Sequence, residues 1–274
     1  MSLLNAQKSS DSPSGPSSVS LQVSDASVKP ELPFLFIADL HLAEKCPETV
    51  ASFLGFLSGP ARQARSVFIL GDLFEYWAGD DDAGSAFNQT LCSAIQETVA
   101  AGTAIFFMVG NRDVLAGEGF ARASGAQIIN DATLLRIGER ALLLSHGDAL
   151  CTDDREYQAF RLQARDKKQQ AMFLAQPLAI RKAFLNKARD QSETAKRDKR
   201  MEIMDVNADA VTNLLRANNY PTLVHGHTHR PARHTYLIDG HRCERYVLPD
   251  WHDRAVWLSF DGVEFTACSD CEGL

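Results

Sequence analysis

The stretch VHGHTHRP, residues 224–231, crowds three of the chain's eight histidines into five positions: His225, His227 and His229. They sit directly behind an apolar run. Other residues of metal-ligand type stand in the same relation to other apolar runs: Asp39 and His41 follow FLFIA, Asp72 follows VFILG, Asn111 follows FFMVG and His146 follows LLLS. Any one of these has an ordinary explanation, since a lone histidine is commonly a satisfied structural residue and Gly-Asp behind a strand is commonly a turn. Five in register do not share that explanation, because ligands of α/β sheets gather beyond the carboxyl ends of the strands. Seven side chains are too many for one four-coordinate ion. They suit two divalent cations joined by a bridging carboxylate, for which Asp72, alone on its strand end, is the candidate. Carboxylate, imidazole and carboxamide without thiolate favour manganese, iron or zinc over a structural cysteine-bound zinc.

Positioning these residues requires strands that end at the motifs. PFLFIADLH (33–41), SVFILGDLF (66–74), TAIFFMVGNRD (103–113), ALLLSHGD (141–148) and PTLVHGHTH (221–229) are near-continuous apolar runs, as expected of strands buried on both faces. Helix-like segments over 47–65 and 83–101 lie between the early ones, the βα alternation of a layered α/β fold. RYVLPDW (245–251), AVWLSF (255–260) and VEFTAC (263–268) follow one another through short turns and predict an antiparallel finish to a second sheet. Between about Asp153 and Asp205 no β-run occurs, and helix formers and charge dominate around Pro177. This segment reads as a helical insertion over the α/β core, followed by a helix from about Asn207 that buries Val211, Leu214 and Leu215.

The chain has 274 residues, 45% of them hydrophobic, enough for a full-sized core in one domain. No apolar stretch reaches the roughly 18 residues that span a bilayer. Residues 1–31 are Ser-rich and lack the basic and apolar regions of an export signal, so they read as a disordered tail. The domain then runs over 32–268, with a short tail over 269–274. Six scattered cysteines without an export signal predict reduced thiols in a cytosolic protein. The CxxC spacing of Cys268 and Cys271 stands alone near the C-terminus without a second pair, so a metal or redox site is the minor reading there. The net charge of −7 opposes a general nucleic-acid coat, but residues 161–200 carry twelve Lys/Arg against four Asp/Glu. That cationic segment is interleaved with AMFLAQPLAI (171–180) and Ala183-Phe184-Leu185. It offers charge and greasy surface together, suited to a phosphorylated lipid or to an anionic membrane.

Taken together, Asp39-x-His41, Gly71-Asp72, Gly110-Asn111-Arg112-Asp113, His146-Gly147-Asp148 and Gly226-His227-Thr228-His229 resemble the motifs of the calcineurin-like metallophosphoesterases. The resemblance implies an α/β sandwich of two mixed β-sheets flanked by helices, with a dinuclear metal site. One metal would take Asp39, His41, Asp72 and His229; the other would take Asp72, Asn111, His146 and His227. His225 would not ligate and would instead fix a neighbour through a hydrogen bond. Most of that superfamily reads GNHD or GNHE in the third motif, where the histidine is thought to protonate the leaving group. Here the motif reads GNRD. A guanidinium, with a pKa of about 13, is no general acid at neutral pH. Arg112 can fork onto phosphate oxygens and neutralise developing charge, which suits a diphosphate that departs as a phosphate.

GNRD, with FIADLHL, GDLFEYWAGDDD, HGDALCTDDREYQAFR, IMDVN and HGHTHRP, is similar to one branch, the UDP-2,3-diacylglucosamine hydrolases of lipid A biosynthesis, over about residues 33–260. That resemblance implies Mn²⁺ as the metal and UDP-2,3-diacylglucosamine as the substrate. It also implies a peripheral place on the cytoplasmic face of the inner membrane. Asn111 and Arg112 would carry catalysis. Asn111, Arg112, Asp154, Tyr157, Ser192, Lys196, Lys199 and His227 would bind substrate, and Trp77 would line the acyl pocket. A nucleotide or nucleic-acid phosphodiesterase of the same superfamily is the rival enzyme. Against it, the basic residues alternate with aliphatics rather than with stacking aromatics. A scaffold that lost its chemistry would have lost ligands, and all seven are present. The sequence implies no protein partner.

Overall fold

The computed structural model describes residues 17–19, 33–198 and 205–270. In chain order the elements open with β1 (Ser17–Val19), β2 (Phe34–Ile37), α1 (Pro47–Ser58), β3 (Ser66–Leu70), α2 (Ala86–Ala100) and β4 (Ala104–Met108). Next come α3 (Glu118–Ser124), β5 (Gln127–Ile129), β6 (Thr133–Ile137) and β7 (Arg140–Ser145). Three helices follow, α4 (Arg155–Arg165), α5 (Lys167–Leu174) and α6 (Leu178–Asp198), and then α7 (Ala208–Ala217). The chain finishes with β8 (Thr222–His225), β9 (Ala232–Ile238), β10 (His241–Val247), β11 (Val256–Phe260) and β12 (Phe265–Ser269).

Two six-stranded sheets result, ordered β12-β11-β2-β3-β4-β5 and β1-β6-β7-β8-β10-β9. β2, β3, β4 and the edge strand β5 are parallel neighbours, as are β7, β8 and β10. Alternation along the strands assigns the layers. Phe36, Phe68, Phe106 and Met108 of the first sheet meet Leu135, Leu142, Leu144 and Val224 of the second in the seam between the sheets. The intervening positions Leu35, Val67, Ile69 and Phe107 face outward and pack under Phe53 and Phe56 of α1, Leu91 and Ile95 of α2 and Phe120 of α3. On the far side Leu143 and Leu223 pack with Val211 and Leu215 of α7. Both faces of each central strand are therefore buried, which is why the runs are continuously apolar. The sandwich of two mixed sheets flanked by helices is the expected architecture.

The antiparallel finish is corrected. β10 pairs with β8 and β9 in the second sheet, whereas β11 crosses back to pair antiparallel with β2 in the first, and β12 pairs antiparallel with β11 at its edge. Short turns between consecutive runs do not require that they share a sheet. β5, β6 and β9 had no counterpart among the expected strands. β9, ARHTYLI, is an edge strand with several exposed positions, and its sequence lacks an apolar run. The first expected helix stops at Ser58, because Gly59-Pro60 opens a 3₁₀ turn instead. Leu214 is half-buried, while Val211 and Leu215 are fully buried. Ser17–Val19, within the expected tail, pairs in parallel with β6; the rest of the tail lies outside the described residues. Among the described residues no helix is long and apolar enough to cross a membrane. Cys46, Cys92, Cys151, Cys243 and Cys268 are thiols, and Cys271 lies outside the described residues.

Candidate metal centre and substrate site

The strands end just before the motifs, and the chain then turns sharply. Asp39, His41, Asp72, His227 and His229 all have φ between 49° and 70°, the left-handed region that non-glycine residues avoid. Such strain persists where the surroundings fix it, and here the loops are laced together. Asp39 N–H donates to Gly71 O, His41 N–H to Asp72 O, Gly226 N–H to His146 O and Trp251 N–H to Asp39 O, at 3.0–3.1 Å. Asp113, fully buried, ties the loop after β4 to the loop after β3: its carboxylate accepts from Gly110 N–H and Leu73 N–H, both at 2.7 Å. The glycines of the motifs make room. A Cβ on Gly110 would collide with the Asp72 carboxylate, and one on Gly226 with the Asp39 carboxylate.

All seven expected ligands converge beyond these strand ends, Asp39, His41, Asp72 and Asn111 from the first sheet and His146, His227 and His229 from the second. Two groups can each surround an ion: Asp39, His41 and His229, and Asp39, Asp72 and His146. His41 Nε2 faces His229 Nε2 at 3.3 Å, and His229 Nε2 faces Asp39 Oδ1 at 3.5 Å. His146 Nε2 faces Asn111 Oδ1 at 3.1 Å and Asp72 Oδ1 at 3.7 Å. The His227 ring packs edge-on to His146, centroids 5.0 Å apart. Asp39 is common to both groups, whereas Asp72, the residue expected to bridge, enters one of them. Asp39 Oδ1 and His41 Nδ1 are buried without hydrogen-bond partners. Lone pairs aimed at lone pairs, with a carboxylate oxygen unsatisfied, are the arrangement a cation relieves. The donor set thus fits divalent metal.

The electrostatics agree. Burial pushes the Asp39 carboxyl up, but the adjacent His229 ring and the charges of His229, His146 and His41 hold it well below the usual carboxylate range. Burial opposes a proton on His146, yet Asp72, Asp148 and Asp39 raise its pKa to about 9. His229 is likewise raised to about 10 against burial, by Asp250 and Asp39. Protons are held where cations fit. His227, buried and beside His146, falls to about 3, so its imidazole is neutral. His225 is fully buried with Nδ1 at 2.8 Å from Gly226 O and Nε2 accepting from Arg245 at 3.1 Å. It is committed to the backbone, as expected of a residue that does not ligate.

Arg112 lies beside the centre. Its N–H donates to Asp72 Oδ1 at 2.9 Å, and its guanidinium stands 3.6 Å from Glu75 Oε1. Asp154 caps α4, accepting from Tyr157 N–H at 3.0 Å. The Tyr157 ring packs 5.4 Å from that of His227, and its hydroxyl donates to Asp148 Oδ2 at 2.9 Å. Asp148 belongs to neither of the two ion-surrounding groups. It receives Arg161 and Arg165 of α4, each at 3.0 Å, and so anchors that helix. Trp77, Asn111, Arg112, Phe160, Phe173 and Phe184 line a cavity of about 250 Å³. Trp77 is 1% exposed, with its indole N–H on Asp80 Oδ1. Ser192 and Lys196 fall within α6 at positions whose side chains lie outside the description, and Lys199 lies outside the described residues.

Sequence reasoning missed Glu75 and Asp250. Glu75 stands 4.0 Å from His41 Nδ1, 3.6 Å from Arg112 and 3.9 Å from Arg189. Asp250 is 3.0 Å from His229 Nδ1. Glu75 sits inside GDLFEYW, three residues beyond Asp72, a visible signal. Asp250 is 21 residues beyond its partner, and nothing local marks it.

The description calcineurin-like phosphoesterase matches residues 32–231. A UDP-2,3-diacylglucosamine hydrolase of Aromatoleum aromaticum is 54% identical over 84% of this chain and 93% of its own length. Proteins of the same name from Klebsiella pneumoniae and Escherichia coli are 47% and 44% identical, each over 84% of this chain and 96% of theirs. With the fold, the converged ligands and these relatives together, the chain belongs to the calcineurin-like phosphoesterase family and, within it, to the UDP-2,3-diacylglucosamine hydrolases.

Proposed function

We propose that this protein hydrolyses the pyrophosphate bond of UDP-2,3-diacylglucosamine, a step of lipid A biosynthesis, using two divalent cations, Mn²⁺ by preference. Water attacks the α-phosphorus, the bond from that phosphorus to the bridging oxygen breaks, and UMP and 2,3-diacylglucosamine 1-phosphate leave. The observation that carries this reading is the junction at Arg112, where a convergent donor cluster meets an aromatic-lined cavity. Asp39, His41, Asp72 and His229 would hold one cation, and Asp72, Asn111, His146 and His227 the other. When bound, such ions supply Lewis acidity, which polarises a phosphoryl oxygen and makes hydroxide available near neutrality.

The protein's own groups do the rest. Arg112 neutralises charge building on the diphosphate, and the departing phosphate needs no protonation, so a permanently charged guanidinium suffices where relatives place a histidine. Glu75 keeps that guanidinium turned toward the centre. The Tyr157 ring packs on the His227 ring, and its hydroxyl, held by Asp148, presents the N-terminal turn of α4 to the glucosamine end of the substrate. Asp154, Ser192, Lys196 and Lys199 are proposed contacts on the same side. The cavity beside Arg112 takes acyl chain. Phe160, Leu162, Met172, Ile180 and Phe184 of the helical segment are exposed. Among so many cations, they support contact with the anionic cytoplasmic surface of the inner membrane.

Product analysis tests the reading. Purified protein with Mn²⁺ and UDP-2,3-diacylglucosamine is expected to yield UMP and the lipid monophosphate by mass spectrometry, and EDTA to abolish both. Absence of turnover in protein shown to contain metal would overturn the substrate assignment and favour a nucleotide phosphodiester.

A further inference from the structure

Two cavities border the Arg112–Glu75 pair beside the candidate centre, and their chemistry differs. The first is the aromatic one lined by Asn111 and Arg112. The second, about 280 Å³, is lined by Glu75 rather than Arg112 and lies between the loop after β2, the start of α2 and α6. Its walls include Glu75, Tyr76, Phe87, Lys182, Asn186 and Arg189. Glu75 is the partition: one carboxylate oxygen faces both Arg112 of the first cavity, at 3.6 Å, and Arg189 of the second, at 3.9 Å.

Resting on the reading above, we infer that this second cavity is the nucleoside subsite and that the substrate lies across the Glu75–Arg112 partition, uridine on one side and acylated sugar on the other. A diphosphate joining a polar and a greasy end must send them into different surroundings, because burying a uracil unsatisfied among phenyl rings costs the hydrogen bonds it makes with water. The aromatic cavity is walled chiefly by apolar side chains, Trp77, Leu115, Phe160, Phe173 and Phe184, and of its glutamines Gln170 already donates to Val114 O and Ala164 O. The polar cavity provides groups to pair with a pyrimidine edge. Tyr76 is half-buried and offers a ring face. Asn186, exposed on α6, carries the donor and acceptor that the N3–H and O4 of uracil require. Asn88 cannot serve in that way, since its amide donates to Asp82 O and Asp82 Oδ2. Lys182 is likewise engaged, at 2.6 Å from Asp82 Oδ1, and shapes the wall. Arg189 is placed to meet the α-phosphate from the nucleoside side, as Arg112 meets the diphosphate from the other. Asn186 and Tyr76 are thus specificity-determining residues for the base.

Calorimetric titration of UMP, and separately of the lipid monophosphate, into the Mn²⁺-loaded wild type and the Asn186→Ala and Tyr76→Ala variants tests this. UMP affinity is expected to fall about tenfold in each variant, the equivalent of one lost base contact. Lipid monophosphate affinity, metal content and kcat at saturating substrate should stay within about twofold, the change appearing in KM. Unchanged UMP affinity in both variants, or a loss confined to the lipid product, would overturn the assignment. Turnover of UDP-2,3-diacylglucosamine by the wild type separates that failure from failure of the substrate reading itself. Should a variant misfold, UMP-induced shifts of the Tyr76 and Asn186 resonances of the wild type decide the same point; shifts confined to the aromatic cavity would overturn it.

Discussion

At the scale of single residues, the centre depends on contacts that tolerate almost no change. Arg112→Ala is expected to lower turnover by about 10²–10³ while metal content, read by elemental analysis, stays that of the wild type, because a stabilising donor is lost but no ligand is. Glu75→Gln keeps the shape and removes the charge that orients Arg112 and faces His41 Nδ1. A loss of about 10–100-fold in metal affinity or activity is expected, as for other carboxylates behind metal ligands. Gly226→Ala places a methyl against the Asp39 carboxylate and should reduce bound metal below that of the wild type, although position 226 contributes no ligand itself. The seven candidate donors could be picked out from the sequence because each follows an apolar run. Glu75 and Asp250 could not, because their roles depend on spatial neighbours, not on a place behind a strand.

The elements differ in how firmly they are held. β2, β3, β4, β7 and β8 are buried on both faces, so their sequences announced them. β9 and β12 lie at sheet edges with exposed faces, and the return of β11 to β2 is a long-range pairing that no local pattern encodes. The helical segment is fixed differently, by buried charge. Arg181 of α6, 1% exposed, donates to Ala78 O, Gln176 O and the Asp81 carboxylate. Arg181→Met would leave carbonyls without partners and should cost about 2–4 kcal/mol, seen as a lower melting midpoint and faster proteolysis within α4–α6. Asp81 gives this anchor a pH dependence. The Arg181 hydrogen bond outweighs desolvation and holds the Asp81 pKa below its ordinary 3.8. Its contribution is therefore complete above 3.8 and fades as pH falls through the lower folded value. Asp81→Asn is expected to lower stability at pH 7 and to converge on the wild type as pH falls below that point, which flattens the acid limb.

For the whole molecule, the centre lies where the two sheets meet. Asp39, Asp72 and Asn111 follow strands of the first sheet, while His146, His227 and His229 follow strands of the second. Cation binding should then stabilise the packing of one sheet on the other. Mn²⁺ at about a hundredfold excess over its dissociation constant is expected to add about 2.7 kcal/mol. For a chain of this size that raises the melting midpoint by about 5–10 °C over the EDTA-treated protein. An unchanged midpoint with metal bound would mean that the sheets gain nothing from the ions.

That division between sheets also sets an order on biosynthesis. Asp39, Asp72 and Asn111 leave the ribosome long before His227 and His229, so the emerging chain first presents a half-complete, carboxylate-rich set of donors. The last candidate imidazole, His229, emerges well after Asp39, Asp72 and Asn111, and β11, which pairs beside β2 in the first sheet, follows later still. Completion of the candidate centre is therefore deferred until the strands of the second sheet have been made, and a chain terminated before His227 would lack the donors that complete it.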